Sequence, residues 1–171
     1  THPLVKGVNT RFDIPHSRFN GISEAQFKKA GAKVLATSSV GVHLAVSQDQ
    51  FRLVFFQGHP EYDSISLLKE FKREISIYLE GGRPDYPPFP TNYLSPQNCA
   101  ILDEYRSRLE NNSATIADFP ETLIMKTIDN TWHDSASAVI NNWIGCFYQV
   151  TNVDIKLPFM ESVDPNNPLG L

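Results

Sequence analysis

Residues 53–63 read LVFFQGHPEYD, an apolar run that ends at a glycine and is followed at once by a histidine. A continuous apolar run of this kind is typical of a strand that is buried on both faces, as in a parallel or mixed α/β sheet. In open α/β sheets, reactive groups gather beyond the carboxyl ends of the strands. The run therefore predicts an α/β fold whose chemistry lies at the turn that follows this strand.

His59 and Glu61 stand at that turn and have the residue types of a base and its orienting carboxylate. Gly58 permits a close turn, and Pro60 stiffens the link between the histidine and the glutamate. Glu61 would hold the imidazole in one tautomer and stabilise the imidazolium that forms during proton transfer. Taken alone, the pattern favours an ordinary loop histidine beside an acid at the start of a helix. We expect no metal site, because no third or fourth ligand lies at a suggestive spacing.

Apolar periodicity predicts the elements around this turn. Strands are expected at residues 33–37, 42–47 and 52–57. In the second strand, Val42, Leu44 and Val46 are expected on one face, with His43, Ala45 and Ser47 on the other. A short helix that Ser23 caps is expected to run to Ala30, and longer helices are expected at 64–80, 97–111 and 134–150.

The helix at 64–80 has the clearest pattern. Its predicted core stripe consists of Leu68, Phe71, Ile75 and Leu79. Asp63 or Ser64 is expected to cap its start, and Gly81-Gly82 to end it. By contrast, the residues from 158 onward are rich in Pro and Asn and are expected to be peripheral or mobile.

Composition bounds the class of protein. The chain has 171 residues, 41% of them hydrophobic, and a net charge of −4. Its size suits one compact domain, and its charge argues against a general nucleic-acid binder, which needs a basic face. No apolar run approaches the roughly 18 residues of a membrane helix, and no leader is visible at the start. Cys99 and Cys146 have no CxxC spacing, so we expect a reducing, cytoplasmic location.

Several segments resemble the homoserine O-succinyl/acetyltransferase family. Residues 58–63 match its GHPEYD signature, and residues 15–19 (PHSRF) resemble its PHSR(Y/F) segment. Residues 70–73 (EFKR) resemble its E-F-x-R segment, whereas Asn142-Trp143, Tyr148-Gln149 and Trp132 are looser matches. The resemblance is specific over residues 1 to about 82 and looser over about 131–157. Residues 83–130 depart from the pattern and look like a subgroup insertion.

The resemblance implies a fold and a reaction. It implies the C-terminal half, with additional helices, of a flavodoxin-like domain of the class I glutamine amidotransferase type. The family uses a Cys-His-Glu triad and passes an acyl group from acyl-CoA to the hydroxyl of homoserine. No cofactor is implied beyond acyl-CoA as co-substrate, and the donor stays open between acetyl-CoA and succinyl-CoA. A homodimer is expected.

The resemblance also implies roles for five residues. His59 is the general base, Glu61 orients it, and Arg73 binds the α-carboxylate of homoserine through its planar fork. Arg73 lies about 140° round the helix from the apolar stripe, so it faces either solvent or a site. Ser17 matches a serine that contacts the substrate, or it caps a turn. Glu70 positions Arg73 or meets the substrate ammonium, or it forms a surface ion pair.

Neither cysteine is expected to be the nucleophile. Cys146 lies in the core-like late helix, where buried thiols are usually inert, and Cys99 lies in the departing segment. The resemblance places the nucleophile upstream of Thr1. We therefore expect this chain to need its own N-terminal half as a partner and to be inactive when isolated.

The predicted organisation has four parts. Residues 1–82 are the C-terminal half of the catalytic domain, 83–130 the insertion, 131–157 a late helix packed on the domain, and 158–171 a tail. Two alternatives stay open: a glutamine amidotransferase-type hydrolase, and a non-catalytic fragment that completes a fold or a dimer. Release of CoA that depends on homoserine, against release of ammonia from glutamine, would separate the two enzymes.

Overall fold

A computed structural model describes residues 2–151 and 156–171 as a mixed α/β protein. The chain divides into two compact units, one formed by residues 1–61 and 131–171 and the other by residues 62–130. Each unit has its own hydrophobic core. The predicted part boundaries at residues 82, 130 and 157 stay predictions, and residues 152–155, inside the predicted late segment, lie outside the described residues.

The sheet of the first unit has three antiparallel strands in the order β1-β2-β3. The strands are β1 (Lys33–Ser38), β2 (Gly41–Val46) and β3 (Val54–Phe56). Both links are short, and a short link between neighbouring strands permits only antiparallel pairing. In the second link, Asp49 Oδ1 accepts hydrogen bonds from the Ser47 hydroxyl and from the N–H groups of Phe51 and Arg52.

The expected strand that is buried on both faces is β2, not the apolar run that ends at Phe56. β3 is only three residues long and lies at the edge of the sheet, where Phe55 is 38% exposed; Leu53, just before it, is 57% exposed. The prediction of a two-sided, parallel or mixed setting for this run is therefore wrong. In β2 the predicted alternation does not separate core from solvent, because His43 and Ala45 are buried together with Leu44.

Helices α1 and α5 complete the first unit. α1 (Glu24–Lys29) begins with the predicted cap, since the Ser23 hydroxyl accepts a hydrogen bond from the N–H of Gln26. Phe27 of α1 packs in a small cluster with Val42 and Ala45 of β2. α5 (His133–Val150) agrees with the predicted late helix.

A larger cluster joins α5 to β2 and to the tail of the first unit. Its buried members are Leu4, Val46, Phe51, Cys146, Val150 and Met160. The matched Asn142-Trp143 pair also holds this cluster: Asn142 Nδ2 donates to the carbonyls of Leu4 and Lys6, and Trp143 Nε1 donates to that of Phe51. Most described residues of the tail are exposed, as expected of a peripheral segment, but Met160 is buried in this cluster.

The second unit is helical. It contains α2 (Ser66–Leu79), α3 (Pro96–Glu110) and the short α4 (Glu121–Ile124). Leu68, Phe71 and Ile75 of α2 pack against Leu102, Tyr105 and Leu109 of α3, and Phe119 and Ile124 close the core. Short 3₁₀ turns occur at Ile116–Asp118 and Met125–Thr127 of this unit and at Pro3–Val5 of the first.

The N-cap of α2 and the last position of its apolar stripe differ from the prediction, whereas its end does not. The residue at its N-cap is Ile65, and within the described chain no side chain caps that end, so the expected Asp63 or Ser64 cap is wrong. Leu79 is 46% exposed and does not extend the stripe. As expected, the two glycines end the helix: Gly81 takes φ +78°, and the N–H of Gly82 donates to the carbonyl of Ile77.

Of the helices in the described ranges 2–151 and 156–171, none is both long and apolar enough to cross a membrane.

Candidate functional site

The turn after β3 is held between β2 and the segment of residues 15–22. The N–H of Gln57 donates to the carbonyl of His43 at 2.8 Å, which continues the β2–β3 ladder by one residue. Two residues later, the N–H of His59 donates to the carbonyl of Pro15 at 2.8 Å. The backbone of His59 is therefore fixed from the opposite side by a segment that is distant in sequence.

The His59 side chain meets Glu61 as the sequence predicts. Nδ1 of His59 lies 2.8 Å from Oε1 of Glu61, and Nε2 lies 3.2 Å from the carbonyl oxygen of Ser17. Because an ionised carboxylate only accepts hydrogen bonds, the contact with Glu61 assigns a proton to Nδ1. The Ser17 carbonyl also only accepts, so its contact with Nε2 is a hydrogen bond only when the imidazole is protonated on both nitrogens. Glu61 thus orients the ring, and Nε2 is the nitrogen on the side of residue 17.

The carboxylate of Glu61 is kept in its charged form. Burial by itself raises the pKa of this group, but the hydrogen bond from His59, its own N–H group and the charge of His59 together lower the pKa below its ordinary value. Glu61 is exposed, so its charge remains solvated while it holds the ring. This is the arrangement that a base and its orienting carboxylate require.

His43 and Gly58 pack against each other beneath the turn, an arrangement we call the floor of the turn. The sequence predicts a close turn at Gly58 but does not predict its contact with His43. His43 is buried, and burial, followed by the positive charges of His16 and Arg18, lowers its pKa to about 4. A Cβ on Gly58 would lie 2.9 Å from Nδ1 of His43 and 2.9 Å from Cγ1 of Ile14. Glycine is therefore needed at position 58 because a neutral, closely packed histidine occupies the space where a side chain would stand.

His16 and Arg18 of the PHSR segment lie beside this floor. Nη1 of Arg18 is 2.8 Å from Nδ1 of His16 and donates to the carbonyl of Gln57 at 3.1 Å. Burial and the neighbouring Arg18 lower the pKa of His16, against a hydrogen bond with the carbonyl of Gln57 that raises it. Ser17 contacts His59 through its main-chain carbonyl oxygen, which the residue type alone does not reveal.

A groove of about 1130 Å³ runs from these histidines along β1 within the first unit. Its lining includes His16, His43, Arg11, Thr37 and Ser38, together with apolar side chains.

Arg73 and Glu70 belong to the second unit. The Arg73 side chain is 62% exposed, and its Nη2 lies 3.7 Å from Oε1 of Glu74. Oε1 of Glu70 accepts a hydrogen bond from the hydroxyl of Tyr62 at 2.7 Å. Arg73 faces away from the apolar stripe as predicted, whereas among the described residues the spacing-allowed ion pair between Glu70 and Arg73 does not form.

Neither cysteine has the surroundings of an activated nucleophile. Cys146 is buried in the first-unit core, and burial raises the pKa of its thiol. Cys99 lies in α3 of the second unit. A nucleophilic cysteine is ordinarily exposed and has a lowered pKa.

Among residues 2–151 and 156–171, no three or more His, Cys, Asp or Glu side chains are grouped so that they could hold a metal ion.

A histidine whose Nδ1 contacts a glutamate at the end of a strand is a histidine–carboxylate pair, the arrangement that can serve as a base and its orienting group. Comparison with known sequences assigns the chain to a family. The sequence model of the family described as homoserine O-succinyltransferase matches residues 1–153. The chain belongs to this family.

Curated relatives agree with the assignment. Proteins named homoserine O-succinyltransferase from Thioalkalivibrio nitratireducens and Nitrosococcus oceani are 60% and 59% identical to this chain over 99% and 100% of its length. One from Methylobacter tundripaludum is 57% identical. Each match covers 49% of the relative, so the chain spans about half the length of the curated relatives it matches.

Proposed function

We propose that the protein carrying this chain transfers a succinyl group from succinyl-CoA to the hydroxyl of homoserine, a step of methionine biosynthesis. The observation that carries the proposal is the 2.8 Å contact between His59 Nδ1 and Glu61 in the turn that bears the GHPEYD signature. The names of the relatives favour succinyl-CoA over acetyl-CoA as the donor. No cofactor beyond this co-substrate is included.

In the proposed reaction, His59 acts twice as a base. Nε2 first takes the proton of a cysteine thiol, and the thiolate attacks the thioester carbonyl of succinyl-CoA. The bond between that carbonyl and the CoA sulfur breaks, and the CoA thiolate leaves with the proton from His59. Nε2 then takes the proton of the homoserine hydroxyl, whose oxygen attacks the succinyl carbonyl. The bond between that carbonyl and the cysteine sulfur breaks, and the cysteine takes the proton back from Nε2. The nucleophile is assigned outside these residues, because Cys146 is buried with a raised thiol pKa and the family resemblance places the cysteine upstream of Thr1.

Three further residues have proposed roles in binding homoserine. Arg73 would hold the α-carboxylate, since its guanidinium group projects from α2 and a planar fork matches a carboxylate. Glu70 would position Arg73 or meet the substrate ammonium, and Ser17 would contact the substrate from the segment that already meets His59. Such positioning supplies a large part of the rate in acyl transfer.

The fold and the assembly are proposed on the same basis. We assign the three-stranded sheet and its helices to the C-terminal half of a flavodoxin-like domain of the class I glutamine amidotransferase type, on the GHPEYD resemblance. The other half of the same protein would be its partner and would supply the cysteine. A homodimer and a cytoplasmic location complete the proposal.

The test uses the full-length gene product that contains this chain. CoA release from succinyl-CoA should depend on homoserine, and acetyl-CoA should be the poorer donor. His59→Ala should lower the rate by about 10²–10⁴-fold, the usual contribution of a general base. His133→Ala, which changes an exposed histidine of the same unit, is the matched control and should leave the rate unchanged.

Two outcomes would contradict the proposal. A near-normal rate in His59→Ala would remove this residue from the reaction. Release of ammonia from glutamine, without acyl transfer to homoserine, would instead assign the histidine–glutamate pair to an amidotransferase-type hydrolase.

A further inference from the structure

The Gln57 side chain uses its amide group on two separate parts of the first unit. Its Oε1 accepts a hydrogen bond from the N–H of Ile22 at 2.6 Å. Its Nε2 donates to the carbonyl of Ile22 at 2.8 Å and to the carbonyl of Val42 at 2.9 Å. Both amide hydrogens are thereby used, and the side chain ties residue 22 to strand β2.

The main chain of Gln57 holds the other end of the same segment. Its carbonyl accepts a hydrogen bond from Nη1 of Arg18 and lies 3.2 Å from Nδ1 of His16. Residues 16–22, which we call the clamped segment, are thus attached to one residue near both ends. Ser17 lies between these attachments, with its carbonyl oxygen 3.2 Å from Nε2 of His59.

The clamped segment has few contacts of its own. It contains no helix or strand among the described elements, and its residues from Arg18 to Ile22 are exposed, with Phe19 fully so. An exposed stretch without buried apolar side chains depends on its hydrogen bonds for order. The contacts with Gln57 therefore act together with the hydrogen bond from the His59 N–H to the Pro15 carbonyl in setting the distance between the Ser17 carbonyl and His59.

We propose that Gln57 is a positioning residue that fixes the clamped segment against His59 and so determines where Nε2 points. The inference rests on the proposed function for its kinetic consequence, but the clamp itself is a property of the first unit. Gln57 acts through Ser17 and His59 and touches no reacting atom. A misplacement of about 1 Å in a catalytic group can cost about 10²-fold in rate, so the contribution of Gln57 is measurable.

The first test measures amide hydrogen exchange in the full-length gene product. Gln57→Met keeps the length of the side chain and removes all three of its hydrogen bonds. We expect faster exchange in peptides that span residues 16–22, and unchanged exchange in α3 of the second unit. Gln48→Met, which changes an exposed glutamine of the same unit, is the matched control and should exchange as the wild type does.

The second test is kinetic. Gln57→Met should lower kcat for succinyl transfer by about 10–10²-fold. In the His59→Ala background the same substitution should cost less than about twofold, because residues that act as a unit are not additive. A merely structural role would lower activity by the same factor in both backgrounds.

Gln57→Glu keeps the acceptor for Ile22 and replaces the donating Nε2 by an oxygen that faces two carbonyls. It should therefore loosen the clamped segment as well, and it serves if Gln57→Met does not fold. Unchanged exchange of residues 16–22 in a folded variant would overturn the clamp, and equal losses of rate in the two backgrounds would overturn its action through His59. If the wild type transfers no succinyl group, the proposed function fails, and the exchange experiment still decides the clamp.

Discussion

Arg73 carries its guanidinium group on the exposed side of α2, near Glu74 and away from the Leu68–Ile75 stripe. Arg73→Lys keeps the charge and loses the planar, two-pronged donor geometry. We expect the KM for homoserine to rise several-fold more than the KM for succinyl-CoA, because only homoserine offers the α-carboxylate. Steady-state kinetics with each substrate varied in turn measure the two constants.

The matched control for Arg73 is Arg106→Lys. Arg106 is also an exposed helix arginine of the second unit, and it pairs with Glu110 one turn away. This substitution should change neither KM. Equal shifts of both KM values in Arg73→Lys would mean that Arg73 is a solvated surface residue and does not bind homoserine.

At the residue scale, the catalytic pair follows from a local pattern, whereas its support does not. His59 and Glu61 are two residues apart, so the histidine–glutamate contact lies within the reach of a short turn. His43 and Ser17 reach the same place from 16 and 42 residues away in sequence, and Gln57, although only two residues from His59, makes its side-chain hydrogen bonds to the distant residues 22 and 42. No periodicity of the chain marks them as neighbours, because their contacts depend on how β2, β3 and the clamped segment pack.

At the element scale, the sequence places Ile75 and Leu79 in the same apolar stripe of α2, but the structure gives them different burial. Ile75 is fully buried in the core of the second unit, whereas Leu79, one turn later, is largely exposed. Ile75→Ala should lower the free energy of unfolding by about 2–5 kcal/mol, through lost burial and the cavity left behind. Leu79→Ala should lower the free energy of unfolding by less than about 1 kcal/mol, because the exposed Leu79 side chain buries little apolar surface that the substitution could remove.

Urea denaturation of the full-length gene product measures both changes. The two substitutions lie on the same helix and have the same helix-propensity change to within a few tenths of a kcal/mol, so each controls for the other. Equal destabilisation would mean that Leu79 is covered in the whole protein and that the predicted stripe of four residues holds there.

The apolar run that ends at Phe56 predicts a strand correctly but does not predict how that strand is buried. Composition identifies it as a strand, and the strand forms at Val54–Phe56. Its burial is not a property of the run: the seven-residue link from β2 leads to antiparallel pairing, and among the described residues β3 is the last strand of the sheet. Leu53 and Phe55 consequently face outward.

At the scale of the whole molecule, buried neutral histidines make stability depend on pH. The pKa of His43 is about 4 in the folded protein and near its ordinary value of 6.5 in the unfolded chain. Between these values the unfolded chain binds a proton that the folded protein does not. The contribution of neutral His43 to the free energy of unfolding is therefore fully present above pH 6.5. It is lost as the pH drops toward 4, by roughly 3 kcal/mol at most. The lowered pKa values of His16 and His2 act in the same direction.

Urea denaturation at pH 7 and pH 5 tests this dependence. His43→Gln removes the titrating group, so the difference in unfolding free energy between the two pH values should shrink. Gln48→Met changes an exposed side chain that does not titrate and should leave the difference as it is in the wild type. Parallel pH dependence in wild type and His43→Gln would show that His43 does not stay neutral in the folded protein.

The sequence by itself determined the family signature, the histidine–glutamate pair, the cap of α1 and the course of the long helices. These features depend on residues within one or two turns of each other, so local periodicity and residue type predict them. The tertiary structure decided the direction and burial of the strands, the outward position of Leu79, the neutral floor at His43 and the clamp at Gln57. Those features depend on contacts between elements. The free energy of such contacts depends on which surfaces meet after folding, so no short stretch of the chain predicts it.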